Sequence, residues 1–275
     1  MRWLRHHGCP WNRYTFDSTV EAGNVKVIQY LYENNCPYDT DIVANAAGRN
    51  PNLDVLKWLR ECGFPWSPQL CSVAASWGRF DILKWAIDNG CPVDDKICAS
   101  AAGGVERSQL KILKWLRERG YPWHIFTCKY AAMHGYMDVV KWARENGCPW
   151  DAGTCAGAAS HGNLANLQWL REQGCDWDDW TCCEAARLGN LEVLVWAHEN
   201  GCPWDEYTFR CAVQEGPLEV YEYLKKAGCP YNLEDYKLGE RKKARGWDSA
   251  NEPEHQINFE EDVLDGLDFD DGQEA

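Results

Sequence analysis

The chain has 275 residues, 45% of them hydrophobic, with 42 acidic and 28 basic residues and a formal charge of −14. That length and apolar content are enough for a large continuous core and exclude a chain that is disordered throughout. No apolar run reaches the roughly 18 to 20 residues of a membrane span, and Met1-Arg2-Trp3-Leu4-Arg5 lacks the apolar segment of a secretory signal, so we expect an intracellular protein with no membrane contact, cytoplasmic or nuclear.

A period organises the rest of the sequence. Aligned on the residue that precedes Cys-Pro in most units, the chain has anchors at Gly8, Asn35, Gly63, Gly90, Gly120, Gly147, Gly174, Gly201 and Gly228, with steps of 27, 28, 27, 30, 27, 27, 27 and 27. A fixed step of this size predicts a solenoid of stacked units, each unable to bury its apolar face alone. Residues 1–9 form the second half of a unit, since Arg2-Trp3-Leu4-Arg5 aligns with the end of the second helix in later units. A polar-faced cap is expected at the end of an array, so this start predicts either further residues upstream or self-association of an open end; otherwise the chain is expected to be a monomer.

Residues 10–245 carry about eight complete helix pairs and a terminal half unit. In the unit from Asp178 to Trp204, Asp178 is placed to cap a first helix (A) that runs through Trp180 to Ala186 toward a turn at Gly189. The second helix (B), Leu191 to Asn200, ends at Gly201 and Pro203. Its apolar spacing is helical, and no segment alternates as a strand does. Two aromatic registers recur. One lies in helix B (Trp3, Tyr30, Trp58, Trp85, Trp115, Trp142, Trp169, Trp196, Tyr223) and one follows the anchor (Trp11, Tyr38, Trp66, Trp123, Trp150, Trp177, Trp204, Tyr231, with Val93 as the exception). Rings of this size in every unit are expected in the core, beside paired alanines such as Ala158-Ala159 and Ala185-Ala186 that let A helices approach closely.

Of the 15 cysteines, seven follow the anchor and five more (Cys71, Cys98, Cys128, Cys155, Cys182) share a second register. Cysteines that recur once per unit are expected to be small buried residues of a reduced protein. No CxxC pair occurs, and the vicinal Cys182-Cys183 lacks zinc-ligand spacing, so no metal site is expected.

The pattern Thr181, Cys182, Ala185-Ala186, Gly189, Leu191-Glu192-Val193 and Gly201-Cys202 resembles the ankyrin repeat, in the short Trp-rich variety common in large DNA viruses and some unicellular eukaryotes. Two departures recur: the Thr-Pro-Leu-His tetrapeptide is absent and each unit is six residues short of the usual 33, at the place of the β-hairpin finger. The resemblance implies an all-α, right-handed ankyrin-like solenoid with fingers absent or reduced, binding protein partners through a concave A-helix face. It also raises the alternative of a substrate-recognition part of an F-box-type ubiquitin-ligase adaptor whose N-terminal part is missing here.

Beyond the array, residues 246–275 hold 11 acidic residues and no Lys or Arg, and are expected to be a disordered tail. The other 245 residues carry 31 acids against 28 bases, so no basic footprint is present and no nucleic-acid partner is expected. No phosphate loop, HExxH or Gly-x-Ser-x-Gly occurs, and we expect no enzyme activity, catalytic residue or cofactor. Recognition is then expected on helix A, at the variable register of Tyr14, Asp41, Gln69, Lys96, Phe126, Gly153, Trp180 and Tyr207, and three positions later at Asp17, Ala44, Ser72, Ala99, Lys129, Ala156, Cys183 and Arg210. Aromatic and cationic side chains dominate interface energetics, which selects Trp77, Phe126, Lys129, Tyr130, His134, Trp180, Arg187, Tyr207 and Arg210 as partner-binding candidates.

Overall fold

The computed structural model describes residues 9–39, 48–67, 69–105 and 108–244. Expectations for residues 1–8, for the second A helix across 40–47, and for the acidic tail lie outside the described residues. Among the described residues all regular structure is helical, and the chain is a helical-repeat array. The A helices are Arg13–Ala22, Leu70–Ser76, Ile97–Ala102, Phe126–Met133, Ala152–His161, Asp179–Arg187, Glu206–Gln214 and Leu233–Ala244; the B helices are Val25–Glu33, Leu53–Glu61, Phe80–Asp88, Gln109–Glu118, Met137–Glu145, Leu164–Glu172, Leu191–Glu199 and Leu218–Ala227. Where fingers would stand, the segments between B and A contain no strand among the described residues.

Local chemistry sets the ends of these helices. Asn12 and Asp205 form capping boxes with Thr15 and Thr208, satisfying amides of the first turn. Asp178 and Asp151 occupy the same position in extended backbone, without a side-chain bond to the helix. Asparagines do the equivalent work for three B helices, at Asn24, Asn52 and Asn163. At the other end, the anchor glycines from Gly63 to Gly228 all have positive φ, between 78° and 87°. No atom lies within 4 Å of where their Cβ would stand, so the requirement is on the backbone alone. The first described anchor, Asn35, reaches φ 55° as the one positive-φ residue other than glycine among those described. The next amide closes each helix, as where Cys202 N–H donates to the Ala197 carbonyl at 2.9 Å.

Consecutive A helices pack on each other along their length, far more extensively than consecutive B helices do. The contact is made of small side chains: Thr127, Cys128, Ala131 and Ala132 in one unit, Thr154 through Ala159 in the next, then Thr181, Cys182, Cys183, Ala185 and Ala186, all buried. At Gly157 a Cβ would come within 2.7 Å of the Lys129 carbonyl, so here the two helices meet backbone to backbone. The B helices complete the core with Val139, Val140 and Ala143, Leu167 and Leu170, and Val193, Leu194 and Ala197.

Twelve of the fifteen cysteines follow the two registers, and all of these except Cys9 are buried free thiols. They are more than apolar filling. Cys175, Cys202 and Cys229 each donate to a carbonyl in the preceding loop, that of Asp151, Asp178 and Asp205, at 3.4, 3.3 and 3.3 Å, which stitches successive loops together.

The tryptophans correct an expectation. The described tryptophans of both registers are half-buried, packed against the edge of the core and not inside it, and Tyr38 and Tyr231 are exposed. The post-anchor tryptophans meet the B-helix ring of the following unit edge to face, as Trp66 with Trp85 at 5.9 Å, Trp123 with Trp142 at 5.7 Å, Trp150 with Trp169 at 6.4 Å and Trp177 with Trp196 at 5.8 Å. Arg60, Arg117, Arg144 and Arg171 cover the first ring of each pair, at 4.2, 4.7, 4.0 and 4.2 Å from its centre, and donate to the carbonyl four residues on. Small A helices close one side of the stack, and the larger rings fill the wider gap left on the B side.

The stack ends on Leu233–Ala244, held by Tyr221 Oη and Lys225 Nζ, which donate to Glu240 Oε1 at 2.6 and 2.7 Å. Gly239 lies directly against the Tyr221 ring. Lys225 first, then Tyr221, hold the Glu240 carboxyl below its ordinary 4.5.

Two outcomes follow. In a double-mutant cycle, Trp150→Ala and Trp169→Ala should show a coupling of about 0.5–1.5 kcal/mol by chemical denaturation, the magnitude of an aromatic pair beyond its buried area. Additive effects would mean that the rings act by burial alone. Because the Glu240 pKa is depressed in the fold, its contribution is present above the unfolded carboxylate value and lost as pH falls through the folded one. Amide NMR signals of residues 233–244 should therefore lose dispersion on acidification before those of the central units, and Glu240→Gln should show the weakened contact already at neutral pH.

Candidate partner-binding surface

Helix A has three kinds of position. The neighbour-facing positions are small and buried, as described above. Its first turn points outward at the register of Trp180, and its last residues reach the turn into helix B.

At the outward register, Tyr14 is 60% exposed, Trp180 42% and Tyr207 44%. Trp180 and Tyr207, on consecutive A helices, stack nearly parallel with centroids 5.8 Å apart and 13° between planes. Gly153 precedes them in the same register, with the Lys129 side chain and the Asp151 carboxylate against it. In the unit before, Phe126 and Tyr130 lie 5.7 Å apart, half-buried, with Lys129 Nζ 5.7 Å from the Phe126 ring. The structure thus places Trp180 with Tyr207, and Phe126 with Lys129 and Tyr130, as two clusters on one layer.

The other candidates stand apart. Trp77, 41% exposed, and His134 share a register at the far ends of their A helices, facing the turns. His134 stacks on Tyr136 at 5.8 Å. His161, one unit on, packs against Gly135. Arg187 is held by Glu184 at 2.7 Å and Glu215 at 3.2 Å, and Arg210 by Asp235 at 3.1 Å. The Glu184 bond first, with Glu215 in support, pushes the Arg187 guanidinium well above its ordinary value. Both arginines frame the aromatic surface with their charge already partnered.

The second register expected to face outward is corrected. Ala99, Ala156, Cys183 and Asp17 are buried, because the A helices pack so closely that the edge of this face is covered by the neighbouring helix. Exposed large residues outside the candidate set are Leu188, at 48%, in the register of Trp77 and His134, and Tyr14, in the outward register.

Concavities open on the opposite, B-helix side. Two of about 410 Å³ use the same register in two units, one lined by Lys57, Arg60, Glu61, Trp66, Trp85 and Asn89 and the other by Lys141, Arg144, Glu145, Trp150, Trp169 and Gln173. They are the outer surface of the Arg–Trp–Trp clamp, and each brings together both signs of charge. The recurrence of a Lys and an Arg before Trp66, Trp123 and Trp150 was their signal in the sequence. Among the described residues no group of three or more His, Cys, Asp or Glu is placed to hold a metal, and no helix is long and apolar enough to cross a membrane.

No protein-family model matches the chain, and no curated protein matches it. Among solved structures, the chain is similar to the crystal structure of the pentatricopeptide repeat protein PPR10 from maize, with 13% identity over 89% of this chain and 43% of that one and a TM-score of 0.41. It is also similar to PPR10 in complex with an 18-nucleotide psaJ RNA element, with 15% identity over 90% of this chain and 51% of that one and a TM-score of 0.34. The chain spans about half the length of these proteins. Likeness at this level is that of one helical-repeat array to another and assigns no ligand. It does correct the expectation of no nucleic-acid partner, because one of these arrays is seen with RNA. The physical reason is that a near-neutral total averages over faces, and does not by itself exclude such a partner.

Proposed function

We propose that the chain is a non-catalytic scaffold of the ankyrin type, a right-handed stack that binds a protein partner on its A-helix layer, with Trp180 and Tyr207 at the centre of the contact. The observation that carries this reading is the exposed stack of these two rings. Large rings held in one geometry by rigid helices lose little entropy on binding and offer area that water covers poorly. The close A-helix spacing supports placing that layer on the inside of the bend, since the B side is wedged apart by tryptophan. Arg187 and Arg210, tied to acids on the same surface, supply a polar rim that requires a partner to match shape more than net charge.

The test compares affinity capture by the full chain with capture by the Trp180→Ala, Tyr207→Ala variant. At least one protein held by the first should bind the second about thirtyfold more weakly, the loss of roughly 2 kcal/mol expected of a hot spot. The same substitutions should change folding stability by no more than about 1 kcal/mol, because both rings are substantially exposed. A captured set that is indifferent to the double substitution would refute this surface as the binding site.

A further inference from the structure

Three cysteines break the repeat: Cys62, Cys183 and Cys211. In the register of Cys183 the other units hold residues such as Ala99 and Ala156, and in that of Cys211 they hold Tyr130, Gly157 and Glu184. Two departures from a 27-residue pattern thus fall on consecutive A helices, and the structure brings them together with Sγ 2.7 Å from Sγ. Neither sulfur is engaged as the repeat's loop cysteines are, whose thiols donate to loop carbonyls. The pair lies beneath the outward aromatic stack, with the Tyr207 hydroxyl directed at Cys211 and Glu184, Arg187 and Glu215 around it.

We propose that Cys183 and Cys211 are an oxidation site, a dithiol that a hydroperoxide converts reversibly to a disulfide joining the helices Asp179–Arg187 and Glu206–Gln214. The helices are already in contact through small residues, so closing the bond needs side-chain rotation and little backbone movement. Cys211 is the attacking sulfur. It is the more exposed of the two, at 5% against 2%, and its contact with Cys183 lowers its pKa. Its sulfur attacks one peroxide oxygen, the O–O bond breaks, and the departing oxygen leaves as water with the thiol proton, leaving a sulfenic acid. The Cys183 sulfur then attacks the sulfenic sulfur. The S–S bond forms, the S–O bond breaks, and the hydroxyl leaves as a second water with the Cys183 proton. Two thiols are oxidised by two electrons and one hydrogen peroxide is reduced to two waters. A reducing thiol reverses the change by exchange. The product would fix the spacing between Trp180 and Tyr207 and replace the thiol that faces the Tyr207 hydroxyl.

The experiment treats the reduced full-length chain with equimolar hydrogen peroxide, blocks remaining thiols under denaturing conditions with N-ethylmaleimide, and maps the digest by mass spectrometry. A cross-linked peptide containing Cys211 should appear, lighter than the reduced pair by two hydrogens and lost on treatment with dithiothreitol, while the other thirteen cysteines are blocked. Because Cys182 adjoins Cys183, two variants assign the partner. Cys183→Ala should abolish the cross-link and Cys182→Ala should retain it. Alanine is the residue other units carry at the Cys183 register, so that variant keeps a packing the fold already uses. The intact oxidised chain should also melt at a higher temperature than the reduced one, a shift absent in Cys183→Ala. The proposal is overturned if all fifteen thiols are blocked after peroxide, if register pairs such as Cys155 and Cys175 cross-link as fast, if the cross-link survives in Cys183→Ala, or if Cys211 is oxidised to a sulfinic acid without a cross-link.

Discussion

The array depends on how closely one A helix can approach the next. With Ala, Cys, Thr and Gly at the contact, the helices meet with almost no side chain between them, and at Gly157 even a methyl group would collide with the Lys129 carbonyl. That closeness leaves few choices elsewhere. A larger residue in this seam would have to move two whole units apart, since neither helix can rotate without exposing its own buried face. The positions that are free to vary are therefore those on the first turn and at the turn into helix B, where the exposed aromatics are found.

The B layer answers the same constraint from the other side. Helices fixed close together at A and joined by short turns diverge at B, and the space between them is filled by one ring from the loop and one from the following helix. The arginine over the first ring uses one side chain for two tasks, covering an aromatic face and satisfying a carbonyl of the loop that follows the helix. The one unit without a loop aromatic makes the dependence visible: where Val93 replaces the ring, the arginine position holds Ile87. In another unit without the arginine, His198 takes its place and lies flat on Trp204 at 3.4 Å.

Much of this was legible in the sequence because a repeat multiplies each signal. Helix order, the anchor turns and the buried cysteines followed from the 27-residue step. The tryptophans were misjudged because recurrence shows that a position is constrained without showing how deeply it is buried. A ring clamped between a guanidinium and another ring is as constrained as one in a core. The second outward register failed for a related reason. Its variation across Asp17, Ala99, Lys129, Ala156, Cys183 and Arg210 resembled a free surface, whereas Ala99, Ala156 and Cys183 are small because they face the next helix. Residue size within that register, more than its variety, held the answer. The ankyrin resemblance supplied expectations of handedness and partner class that the backbone of a helical pair does not itself encode.

In a molecule this regular, departures from the pattern are informative because the pattern states what folding alone requires. Trp180 and Tyr207 stand where neighbouring units accept glycine or lysine, so their size is not needed to hold the stack. Cys183 and Cys211 stand where alanine, glycine and tyrosine serve as well, so their sulfur is not needed for packing either. All four lie on the same two A helices, with rings outside and thiols directly beneath. No step of the folding argument calls for that coincidence. It places the least structurally constrained residues at one junction of the array, where a bond between two helices would also set the distance between two exposed rings.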